Sequence, residues 1–271
     1  MNYRHAFHAG NFADVVKHAA LAQCLARLSG PLHIIDTHAG AGVYDLAGEA
    51  ALKSREAQAG IVRLAADPAA PEVFASLLKA VSSLNPEGDI RHYPGSPALI
   101  CGLMGKDDRL TACELRGDDY SILWPWLNRH CLKAKAMQAD GFEVALREAK
   151  TGQRLFVLID PPFEQAGDYE RTAQVALSVA TGGACVMIWL PLKDLETFDR
   201  FLRRLEAGNP PPVLVAELRL RPLTNPMAMN GCALVFLNPP VGLQLELDVI
   251  CGWAAQKLGE TGAQSRIWRL S

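Results

Sequence analysis

The chain has 271 residues, 49% hydrophobic and 21% charged, enough apolar content to bury a sizeable core, which excludes a disordered chain. A formal net charge of -2 and a pI near 6.4 exclude a protein that coats nucleic acid through a global basic field, so any nucleic-acid partner must be met by a local patch. Seven cysteines without a C-x-x-C pair read as reduced, buried thiols, and with no export signal and no apolar run approaching ~18 residues the expected location is cytoplasmic, away from membranes.

In chain order, Tyr3-Arg4-His5-Ala6-Phe7-His8-Ala9-Gly10-Asn11 is a polar prelude to an Ala/Leu-rich helix that runs to about Leu28 and stops at Ser29-Gly30-Pro31. His5, His8 and His18 lack a fourth ligand or nearby cysteine at usable spacing, so no metal is expected. The plain reading is a solvated basic head on a core helix. The functional one puts Asp14, Lys17 and His18 on one helix face, at i, i+3, i+4 spacing, aimed at a ligand, with Tyr3 and Arg4 as a lip over the same cleft. Leu32 to Asp36 is a strand entering the turn Thr37-His38-Ala39-Gly40-Ala41-Gly42. Without a third glycine this is a weak dinucleotide fingerprint, but its glycines let backbone N–H groups approach a ligand, and the flanking acid and histidine suit an amino-acid-like one.

From residue 45 to about 92 the pattern turns helical, with amphipathic stretches at 49–66 and 71–84 broken by Asp67-Pro68 and Asn85-Pro86-Glu87-Gly88. This predicts a small helical insertion within one domain spanning 1–271. Tyr93-Pro94-Gly95-Ser96-Pro97 is a proline-framed loop before a helix at 98–105, and spacing alone makes Ser96 an N-cap. Arg109 to Cys113 is a strand ending at Glu114, where doubly wound sheets grip ribose hydroxyls. Ala134 onward is another, with Asp140-Gly141 at its carboxyl end, where Asp140 can accept from an adenine amine.

Leu155 to Ile159 is a wholly apolar run, as a buried parallel strand requires, and it ends at Asp160-Pro161-Pro162-Phe163. Proline has a fixed φ and no N–H, so Asp160 and the proline carbonyls are held outward. The lone pair of an adenine amine is conjugated into its ring. Two acceptors gripping its N–H bonds, the Asp160 carboxylate and the Pro161 carbonyl, favour a pyramidal nitrogen aimed at an electrophile, while Phe163 supplies a stacking face. Further strands are expected at 184–190, 213–220 and 232–237, the last two as a closing antiparallel hairpin. Asp36, Glu114, Asp140 and Asp160 then share one edge of one α/β sheet.

The arrangement resembles the Rossmann-like class I methyltransferases that use S-adenosylmethionine. The N-terminal block through Lys17-His18, the turn Asp36 to Gly42, Tyr93 to Pro97, Glu114-Leu115-Arg116, Asp140-Gly141 and Asp160-Pro161-Pro162 together look like the RlmJ family, which methylates the N6 of one adenine in 23S ribosomal RNA. The resemblance covers nearly the whole chain. It implies cofactor contacts for His18, His38, Ser96, Glu114, Asp140, Gly141 and Asp160, a catalytic role for Asp160, and an adenosine contact for Tyr3, while Pro161 and Phe163 are the substrate contacts read from the residues themselves. Phe163 departs from the family's usual tyrosine, keeping the ring and losing the hydroxyl. The substrate implied is 23S ribosomal RNA, with an unstacked adenine taken up by a monomer, and with Arg4, Lys17, Arg219 and Arg221 as candidate phosphate contacts. The rival readings are a DNA adenine-N6 methyltransferase, which shares the D-P-P motif, and a non-enzymatic nucleotide-binding or competence-related protein on the same fold.

Overall fold

In the computed structural model, which describes residues 5–224 and 229–270, an eight-stranded sheet is covered by helices on both faces. The strands are β1 (His33–Asp36), β4 (Arg109–Cys113), β5 (Ala134–Met137), β6 (Leu155–Ile159), β7 (Cys185–Leu192), β8 (Val213–Arg219), β9 (Gly231–Leu237) and β10 (Gln264–Leu270), in the order β10-β8-β9-β7-β6-β1-β4-β5. From β7 to β5 the pairing is parallel, and β9, β8 and β10 add an antiparallel end. The expected α/β class, with a parallel sheet closed by an antiparallel hairpin, is the observed one. β10 lies beyond that hairpin and was not anticipated, because its alternately exposed residues sit on a sheet edge and carry little apolar signal.

Chain order explains where the site falls. The path leaves β1 for β4 and β5 on one side, then returns to β6 on the other, so the sheet reverses between β1 and β6 and opens a crevice at their carboxyl ends. β6 lies between parallel neighbours with every side chain buried, which is why it reads as an unbroken apolar run. One sheet face packs under α1 (Phe12–Arg27), α5 (Ser96–Leu103), α6 (Gly117–His130) and α10 (Leu243–Leu258). The other packs under α7 (Gly141–Glu148), α8 (Ala166–Thr181) and α9 (Leu195–Ala207). α5 starts two residues earlier than expected. Gly95 is its N-cap, so Ser96 is a first-turn residue and not the cap that spacing suggested.

Between the short strands β2 (Val43–Asp45) and β3 (His92–Pro94), which pair antiparallel, lie α2 (Glu49–Ser54), a π-helical turn (Gln58–Val62) running into α3 (Arg63–Ala65), and α4 (Ala75–Leu84). These helices hold the N-terminal block. Ile61 N–H donates to the Gly10 carbonyl (2.8 Å), Asn11 Nδ2 donates to Glu56 Oε2 (2.9 Å), His8 Nδ1 meets Glu56 at 3.0 Å, and the Ser54 hydroxyl donates to the Phe7 carbonyl. The closest approach is at Gly60, where a Cβ would lie 2.2 Å from the Gly10 carbonyl oxygen and 2.6 Å from the Asn11 carbonyl carbon. Gly60→Ala should therefore destabilise by about 1–3 kcal/mol, the usual cost of overpacking. Gly102→Ala, in α5 with nothing within 4 Å of the added methyl, should stabilise by a few tenths to ~1 kcal/mol through helix propensity. Thermal melts of the two variants should move in opposite directions.

Candidate functional site

Asp160 follows the last residue of β6 and its carboxylate is ion-paired, Oδ2 to Lys17 Nζ at 2.6 Å. Lys17 comes from α1, 143 residues away in sequence, and its ammonium also meets Asp14 Oδ1 at 2.9 Å. The Lys17 and Asp14 side chains are 5% and 2% exposed, so this is a buried carboxylate–ammonium–carboxylate row. Burial works against the Lys17 charge, but the two carboxylates outweigh it and hold the ammonium well above its ordinary pKa. Burial likewise opposes the Asp14 charge, and His5 and Lys17 together hold that carboxyl well below its ordinary value. Asp14 Oδ2 is further tied to His5 Nε2 (3.0 Å) and the Gly10 N–H (2.9 Å), so the N-terminal block, α1 and the end of β6 are one polar chain.

Helix geometry makes the row possible. The Asn11 side chain caps α1 by accepting from Asp14 N–H at 3.0 Å, and the i, i+3 step from Asp14 to Lys17 puts both on the face turned to the sheet's carboxyl edge. Sequence reasoning put Asp14, Lys17 and His18 at a ligand; it did not pair Lys17 with Asp160. Two charges inside an otherwise apolar buried helix were the available signal, since buried charges are paired. Lys17 as a phosphate contact is corrected, because both its carboxylate partners are internal. Arg219 pairs with Glu217, and Arg221 with Glu260 at 3.2 Å. Tyr3 and Arg4 lie outside the described residues.

Around this row stand the other predicted residues. Ser96 Oγ donates to Asp36 Oδ2 at 2.6 Å, linking the proline-framed loop to the end of β1. His18 Nδ1 and the Tyr93 hydroxyl share a 2.8 Å hydrogen bond, their rings stacked at 5.5 Å. Burial lowers the His18 pKa to about 3 and that of His38 to about 4, so both rings are neutral at physiological pH. Thr37 Oγ1 donates its one proton to the Leu158 carbonyl (2.8 Å), so at 2.8 Å it must accept from His38 Nδ1, which leaves His38 Nε2 as an acceptor.

Glu114, 8% exposed, accepts from Gly40 N–H at 2.8 Å on one oxygen and from Arg116 N–H at 2.7 Å on the other. Each oxygen keeps a lone pair, so the carboxylate can still take a vicinal diol. Asp140 caps α7 through Phe142 N–H (3.0 Å) and pairs with Arg171 at 2.8 Å. Gly141 has a packing reason of its own: a Cβ there would lie 2.1 Å from the Thr37 carbonyl oxygen. Pro161 is buried, and Phe163, at φ 47°, turns its ring into the protein against Tyr169 (4.5 Å) and Trp189 (6.3 Å).

Asp36 is wholly buried, and burial, reinforced by the charge of Asp160, raises its pKa to about 7 despite the Ser96 hydrogen bond. The folded chain thus holds this proton more tightly than the unfolded chain, where the carboxyl titrates near 3.8. The stability contributed by the neutral form is complete below that value and is lost as pH rises to about 7. Asp36→Asn removes the titration while keeping an acceptor for Ser96. Measured by denaturant unfolding, this variant should gain on the wild type between about pH 4 and 7, by on the order of a few kcal/mol in total, with no further gain above.

Among the described residues no cluster of His, Cys, Asp and Glu fits a metal ion, and no helix is long and apolar enough to cross a membrane. A family model described as ribosomal RNA large subunit methyltransferase D, RlmJ, matches residues 29–270. Ribosomal RNA large subunit methyltransferase J of Escherichia coli (strain K12) is 32% identical over 270 residues, covering 97% of this chain and 95% of that protein. The protein of the same name from Haemophilus influenzae is 33% identical over 275 residues, covering 98% and 96%. A crystal structure of a Legionella pneumophila protein superposes with a TM-score of 0.87 at 26% identity, covering 97% of this chain and 99% of that one. With Asp160, Lys17 and Glu114 gathered at the switch point of a methyltransferase-type sheet, the chain belongs to the RlmJ family of ribosomal RNA large subunit methyltransferases.

Proposed function

We propose that the protein transfers a methyl group from S-adenosylmethionine to the exocyclic N6 of one adenine in 23S ribosomal RNA, as a cytoplasmic enzyme. The observation that carries this reading is the Asp160 carboxylate fixed at the end of β6 by the buried Lys17, with Pro161 and Pro162 directly after it. A carboxylate so held presents an acceptor to an amine without first having to be oriented.

The donor set suits the cofactor. A ligand carrying a sulfonium and an ammonium is favoured where the histidines are neutral and carboxylates predominate; His18 and His38 are neutral, and Asp36, Glu114, Asp140 and Asp160 line the same sheet edge. Glu114 would hold the ribose hydroxyls, the Asp36–Ser96 pair and the His18 ring the amino-acid portion, and Asp140 with His38 and Gly141 the adenine. When bound, S-adenosylmethionine supplies an electrophilic methyl group.

The chain's own residues then act on the substrate. Asp160 accepts one N–H of the adenine amine and the Pro161 carbonyl the other, which fixes the nitrogen and directs its lone pair. The hydrogen bond to Asp160 is also the route by which the amine's surplus proton leaves. Lys17 holds the Asp160 carboxylate in place. Tyr3 would border the base, with the buried Phe163 ring anchoring the loop behind Pro161 and Pro162, and the base must be taken out of its stack at a cost of a few kcal/mol. RNA offers such bases in loops and bulges, and a monomer suffices because all these residues come from one chain.

The test is to incubate the protein with radiolabelled S-adenosylmethionine and protein-free ribosomal RNA from cells lacking the gene, then digest and identify the labelled nucleoside. Label is expected in N6-methyladenosine, reduced at least ~10³-fold in Asp160→Ala. Label only in duplex DNA, or none in either, would overturn the proposal.

A further inference from the structure

Against the loop that follows Asp160 is a cavity of about 160 Å³. Phe163, Glu164 and Gln165 line it from the loop after β6, Tyr169 from the first turn of α8, Pro191 and Lys193 from the end of β7, and Asp194 and Thr197 from the start of α9. Neither Asp160 nor Pro161 reaches it, so the space does not serve the reacting amine. It is also below the ~300 Å³ at which small-molecule pockets begin, and is sized for one ring system.

Three features give the cavity a chemistry. Phe163 is held at φ 47°, a conformation that costs a non-glycine residue of order 1 kcal/mol or more, and the turn places its ring 4.5 Å from that of Tyr169. Tyr169 is half-buried and exposes part of an aromatic surface to the cavity. Lys193 stands exposed at the rim and makes no ion pair among the described residues, whereas of the two carboxylates that also line the cavity Asp194 is occupied in capping α9 through Thr197 N–H (2.7 Å) and the Thr197 hydroxyl (3.1 Å), and Glu164 has a partner of its own. An aromatic wall with a free cation at its mouth is the pairing that binds a base by stacking and the adjoining phosphate by charge.

Building on the reading above, we propose that this cavity is a subsite for one nucleobase of the RNA next to the methylated adenine, stacked on Tyr169 with its phosphate at Lys193. The site takes any base whose π-face fits, and its recognition is of an unstacked strand.

Ultraviolet crosslinking of the full-length protein to a large-subunit ribosomal RNA fragment, with mass-spectrometric identification of peptide and nucleotide, tests the subsite without relying on turnover. The expected crosslink joins the Tyr169 peptide to a nucleotide adjacent to the methylated adenine and persists in Asp160→Asn, which does not methylate. In parallel, Tyr169→Leu should bind the fragment at least about fivefold more weakly, with S-adenosylmethionine affinity unchanged, and Tyr169→Phe should restore binding, because the ring and not the hydroxyl does the stacking. Lys193→Gln should lower the slope of log K against log salt by about 0.7, one phosphate contact on a single strand. A crosslink to the methylated adenine itself, no crosslink at Tyr169, or equal binding by Tyr169→Leu would overturn the subsite. Failure of the wild type to methylate RNA would instead overturn the function, and the crosslink would still decide whether the cavity holds a base.

Discussion

The site depends on one buried cation. Lys17 lies between Asp14 and Asp160, at 2.9 and 2.6 Å, and joins the first helix of the chain to the carboxyl end of β6. The ammonium binds both carboxylates, so a carboxylate that must face an amine is fixed before any substrate arrives. The desolvation cost of such a row is large, and apolar replacement of buried ion pairs is often neutral or stabilising. The row is thus better explained by the geometry it imposes on Asp160 than by stability.

The rest of the architecture serves to place the two ends of that row. The sheet reverses direction between β1 and β6, so Asp36 and Asp160 come up side by side at the crevice. The helices between β2 and β3 hold the N-terminal block by Glu56, Ser54 and Ile61, at backbone contact across Gly60. Asp14 and Lys17 follow directly from that block, so these helices and the carboxylate are connected through a few residues of α1. Asp36, with its pKa raised to about 7 next to Asp160, limits how many negative charges the crevice carries at neutral pH.

Much of this was legible in the sequence. β6 announces itself because a strand buried on both faces has no polar positions, and Asp160-Pro161-Pro162 ends it abruptly. Asp36 and Glu114 could be placed on one edge because alternating strands and helices leave few topologies. What escaped were contacts between distant segments: Lys17 with Asp160, Ser96 with Asp36, His18 with Tyr93, Glu56 with His8. Periodicity reports which face a residue occupies, not what lies opposite. Ser96 shows the limit, since a serine before a helix reads as a cap by local rules while its hydroxyl goes to a residue sixty positions earlier. Phe163 shows another: the motif supplies an aromatic ring, but the positive φ that turns it toward Tyr169 is one that glycine or asparagine signals and phenylalanine does not.

The most direct test of the central ion row is a stability cycle by denaturant unfolding at pH 8 on the wild type, Lys17→Met, Asp160→Asn and the double variant. Removing Lys17 alone strands two carboxylates and should cost about 3–5 kcal/mol. Adding Asp160→Asn to that background removes one of them, so the double variant should be more stable than Lys17→Met, although Asp160→Asn lowers the stability of the wild type. Equal losses from Asp160→Asn in both backgrounds would show that the two residues are uncoupled, and would contradict the account.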